Sequence, residues 1–62
     1  MTTTEIKTEA VNILATRYIE ARVKRDECKT WKQEQVFHAQ MERAGALARR
    51  LGIFDEFLAA IN

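Results

Sequence analysis

Across residues 30–51 the apolar positions Phe37, Met41, Ala44, Leu47, Ala48 and Leu51 recur at three- and four-residue steps, while Lys32, Glu42, Arg49 and Arg50 fall mostly off that side. This spacing predicts an amphipathic helix whose apolar face needs a partner. An earlier helix, running to about Arg25, can supply it. Its main face collects Ile6, Ala10, Ile13, Leu14, Tyr18 and Ala21, and its last turns carry Arg22, Lys24 and Arg25 where the negative end of the macrodipole favours cations. Residues 53–62 read as a short third helix with Phe54, Phe57, Leu58 and Ile61 on its apolar side.

The first helix carries a second, thinner apolar row, Ala15, Ile19 and Val23, at four-residue steps on nearly the opposite side. In a two-helix monomer such a row has nothing to pack against, so it is expected to lie across a subunit boundary as the interface of a homodimer. The predicted class is all-α: a hairpin of two long antiparallel helices plus a short C-terminal helix, assembled as a homodimeric helical bundle. Half-buried strands are not expected, because the β-branched residues are scattered and do not alternate.

Local signals set the expected ends. Thr2 and Glu5 have capping-box spacing, although Thr3 or Thr4 serves equally well as the cap. Thr30 and Gln33 repeat that spacing before the second helix, after a turn placed at residues 26–29. No glycine or proline marks that turn, so residues 26–30 also permit one continuous helix, about 70 Å long. The two apolar stripes would then lie roughly 130° apart, which favours the hairpin. Gly52 follows the Arg49-Arg50 pair as a natural left-handed residue, with Ile53 folding back onto Leu47 or Ala48. Gly45 interrupts a helical pattern rich in alanine, and close approach of another backbone is the expected reason.

With 62 residues the chain makes a single domain, residues 1–62, and buries only about 60% of its unfolded surface. One cysteine, Cys28, and one histidine, His38, provide neither an internal disulfide nor a Cys/His zinc site, which leaves oligomerisation to support a small core. Ten basic against nine acidic residues give a net charge of +1, so nucleic acid, membrane or an acidic substrate would have to be met by a local patch. The N-terminus lacks the basic-then-apolar order of a signal peptide, and no apolar run approaches the ~20 residues of a bilayer span. A cytoplasmic protein with a reduced thiol, free of membrane, is expected.

Candidate chemistry is sparse. Cys28 falls in the proposed turn and His38 ten residues on in the second helix, and no third group is marked to orient the imidazole. Glu34, His38 and Glu42 share a helix face at four-residue steps, a pattern read as solvated and not as a metal site. No cofactor or enzymatic activity is expected. Lys24, Arg25, Lys29 and Lys32 surround Trp31, a combination able to hold a nucleic-acid strand unless the tryptophan folds over the end of the helix pair. Phe54, Phe57, Leu58 and Ile61 have the spacing of an anchor peptide for a protein partner, or else they close the end of the hairpin.

A very short, proline-free helical chain rich in Ala, Glu and Arg and beginning Met1-Thr2-Thr3-Thr4 resembles the small accessory proteins of temperate-bacteriophage early regions. The resemblance implies a non-enzymatic factor acting on host or phage machinery. The function expected is a small regulatory or interaction protein that binds another macromolecule as a homodimer, with nucleic-acid binding at the hairpin tip as the alternative.

Overall fold

In the computed structural model, which describes residues 3–62, all the regular structure is helical: α1 over Thr3–Glu27, α2 over Trp31–Arg50 and α3 over Phe54–Ile61. α1 and α2 form the hairpin, and the molecule measures 43 × 18 × 17 Å, too short for one continuous helix through both. Helix α1 continues two residues past Arg25 because Asp26 and Glu27 contain no helix breaker, so the turn falls at residues 28–30. Its end is closed by the Cys28 amide donating to the Lys24 carbonyl at 2.9 Å.

Thr30 then starts α2 as its N-cap. Its backbone is extended, at φ −120° and ψ 146°, and its hydroxyl accepts the Gln33 amide at 3.3 Å. Capping of α1 by Thr2 lies outside the described residues; Thr4 stands inside the helix and is not the cap.

At the other end of α2, Gly52 takes φ +73°, where a side chain is strained, and donates to the Arg49 carbonyl at 3.1 Å. The Ile53 amide reaches back to the Ala48 carbonyl at 2.9 Å. These two bonds make a Schellman turn, and the Ile53 side chain completes it by joining Ala48 in the core. The chain thereby reverses into α3, which runs alongside α1 in the same direction. Lys7 meets Glu56, Tyr18 meets Phe57, and Arg22 donates to the Ile61 carbonyl.

The core gathers Val11, Leu14 and Ala15 from α1, Ala44 and Ala48 from α2, Ile53 from the turn, and Phe57 and Ile61 from α3. This differs from the expected α1 face in a systematic way. Val11 and Ala15 are buried, whereas Ile6 and Ile13 are 54% and 47% exposed. The buried arc is turned because α1 packs against two helices at once, α2 on one flank and α3 on the other. The row Ala15, Ile19 and Val23 is corrected in the same way: Ala15 is buried and Ile19 packs on the core within the chain, while Val23 lies on the surface. Ala15 and Ile19 belong to the same cluster as Phe57 and Ile61, which leaves Val23 as the exposed member of the row.

Gly45 is not where two backbones meet. A Cβ built there would lie 4.0 Å from the rings of Phe54 and Phe57, an ordinary van der Waals separation. Gly45→Ala should therefore raise stability by up to about 1 kcal/mol through helix propensity, read as a higher urea midpoint at unchanged slope. A loss of stability would mean that the two rings cannot accept the methyl group.

Candidate interaction surface

Helix α3 occupies one groove of the hairpin and leaves the other open. Along the open groove, α1 presents Arg17, Glu20 and Lys24 on one wall, and α2 presents Gln40 and Arg43 on the other. Leu14, Ala21, Ala44 and Leu47 line it between them, and the space enclosed is about 230 Å³. The alanines give the groove its depth, since a methyl group in the middle of each wall leaves room for a side chain from outside. Ile6 and Leu51 adjoin one another beyond one end of this groove, and Leu51 is 59% exposed because it follows α2 as the C-cap residue. Val36, one helical turn before Gln40, is 55% exposed towards the tip.

The electrostatics of this face are unbalanced. Three cations and one carboxylate rim the groove, and none of the four makes an ion pair or side-chain hydrogen bond among the described residues. Arg17 and Arg43 were not singled out in the sequence. The signal was the seven-residue step from Ile6 to Ile13, which reads as core until α3 is placed.

On the opposite side α3 is packed into the hairpin, and a cleft of about 560 Å³ runs beside it between Glu42, Ala46 and Arg49 of α2 and Phe54 and Leu58 of α3. Phe57 stands edge-on to Tyr18 with ring centroids 5.6 Å apart, and stacks on Phe54 at 6.2 Å. The Arg49 guanidinium lies 4.4 Å from the centre of the Phe54 ring. Of the four apolar residues of α3, Phe57 and Ile61 are buried, Phe54 is half-buried, and only Leu58 reaches the surface. An anchor peptide would need them free, so within this chain they serve to close the hairpin.

The Lys7 ammonium and a Glu56 carboxylate oxygen are 2.9 Å apart across the α1–α3 seam. The hydrogen bond from Lys7, with one from the Glu56 backbone, holds the carboxyl below its ordinary value of 4.5. A depressed carboxyl stabilises the fold above its unfolded pKa, and that contribution disappears as pH falls through the folded one. Glu56→Gln should therefore flatten the acid limb of a plot of Tm against pH below 4.5, with the difference shrinking in high salt because the pair is exposed. Parallel limbs would show the pair to be without effect.

At the hairpin tip Trp31 is 70% exposed and does not fold over the helix ends. Lys24, Lys29 and Lys32 are exposed with it, while Arg25 is half-buried and pairs with Asp26 at 3.4 Å. Cys28 and His38 are engaged separately: the thiol donates to the Arg25 carbonyl at 2.9 Å, and the imidazole Nε2 lies 3.1 Å from Glu42. Among the described residues no three His, Cys, Asp or Glu side chains converge as metal ligands, and no helix is long and apolar enough to cross a membrane.

Compared with known proteins, the chain matches no family model, and neither a curated protein nor a solved structure gives a significant match.

Proposed function

We propose that this is a small non-enzymatic interaction protein, cytoplasmic and regulatory, which works by holding another macromolecule on the hairpin face that α3 leaves open. One observation carries the reading: Ile6, Ile13, Val36 and Leu51 are about half exposed or more and surround the groove without lining it, Ile13 beside its rim residue Arg17, Val36 one turn before Gln40, and Ile6 with Leu51 beyond one end. Large apolar side chains gathered along a groove are characteristic of docking surfaces. The homodimer expected from the sequence lies across Ala15, Ile19 and Val23, of which Val23 is exposed; on the open face a second copy is the competing occupant. The excess of positive charge along the groove favours a different molecule, since a second copy would bring the same excess with it.

The reading is tested by selecting peptides from a displayed helical library on the intact chain. Binders lost with Ile13→Glu and Val36→Glu, both surface changes that should leave the fold within about 0.5 kcal/mol, support it. Binders indifferent to both changes, or none at all, remove it.

A second reading, nucleic-acid binding at the tip, is favoured by the exposure of Trp31 beside Lys29 and Lys32. It expects Trp31 fluorescence to be quenched by single- or double-stranded oligonucleotides, with binding that weakens as salt is added. Unchanged emission at low salt would dismiss it.

A further inference from the structure

We propose that the open face binds an acidic amphipathic helix contributed by another protein chain. This rests on the docking reading above and adds the chemistry of the occupant.

The first support is charge. Arg17 and Lys24 on one wall and Arg43 on the other face solvent without an ion pair among the described residues, and Glu20 offsets one of them. Cations on both sides of an apolar floor suit a helix that points aliphatic side chains down and carries carboxylates along its flanks. Basic or neutral helices would leave the rim uncompensated, and nucleic acid would set a polar backbone against the half-buried Leu47.

The second support is that the hairpin already holds one such helix. In the other groove lies α3, an acidic amphipathic segment with Asp55 and Glu56 in its first turn. It is seated by Phe57 and Ile61, i and i+4, with Glu56 on Lys7 and an arginine over Phe54. The open face offers the same components, an apolar floor between two helices with cations at its edges. From Ile6 to Lys24 the wall of α1 is about 27 Å long at 1.5 Å per residue, room for roughly five turns of a guest.

Intact chain is used to select from a displayed library of helical peptides of about 20 residues. Its apolar positions are fixed at three- and four-residue spacing, and its flanking positions vary over Asp, Glu, Lys, Arg and Ser. The enriched peptides are expected to be acidic. The best of them should bind at least tenfold more weakly to Arg17→Gln/Lys24→Gln/Arg43→Gln, and more weakly to the natural chain as salt rises. All three substitutions are at the surface, so thermal unfolding is expected to be unchanged. Neutral or basic binders that Ile13→Glu and Val36→Glu abolish would overturn the acidic helix and leave the docking reading standing. Absence of binders, or binders indifferent to those two changes, would overturn both. Light scattering closes the remaining route: a stable dimer that Ile13→Glu dissociates would make a second copy the occupant and overturn the proposal.

Discussion

Phe57→Ala is expected to remove at least about a third of the folding stability, or to leave a hairpin without a docked α3. Among the described residues Phe57 is the largest fully buried side chain; its ring meets the Tyr18 ring from α1 and the Phe54 ring beside it, and lies over Gly45 of α2. Truncating a buried phenylalanine costs about 3–5 kcal/mol. A domain of 62 residues has a total stability of about 3–9 kcal/mol at the usual stability per residue, so one side chain carries a large share of it. Urea unfolding followed by circular dichroism decides the matter. A midpoint close to that of the natural chain would show that α3 is a passenger on a self-sufficient hairpin, and its aromatic residues would then be free to serve a partner.

The second large effect separates two residues that the sequence placed in one row. Ala15→Glu should cost about 3 kcal/mol or more, because it forces a carboxylate into the apolar cluster where α1 meets the core. Val23→Glu, two turns further along the same helix, should change stability by no more than about 0.5 kcal/mol, since Val23 is at the surface. Thermal unfolding of the two variants at one protein concentration provides the comparison. Were the row a subunit boundary, both variants would remain folded and both would lower the molar mass in solution.

These contrasts show which features a linear reading captures. The Thr30 cap and the Gly52 turn are decided by residues within five positions of one another, and both stand where local rules place them. The helical hairpin was legible from the phase of two stripes. The direction in which α1 buries itself was not, because it depends on where α3 returns, through contacts between residues about forty positions apart such as Arg22 and Ile61. A helix touched on two flanks buries a wide arc, so Val11 and Ala15 enter the core and Ile6 and Ile13 leave it. For the same reason, the wheel position of Trp31 gave its side of α2, while its exposure depended on α3 stopping short of the tip.

The turn at Gly52 also determines how this protein should breathe. The Ile53 amide is bonded to the Ala48 carbonyl, and both side chains lie in the core, Ala48 with no exposed surface at all. Helix α3 therefore cannot lift away without loosening the last turn of α2. Amide protons of α3 and of that turn should exchange with deuterium as one cooperative unit, slower than an isolated eight-residue helix and faster than the middle of α1. The joint makes the smallest helix a measure of whether the whole core is closed.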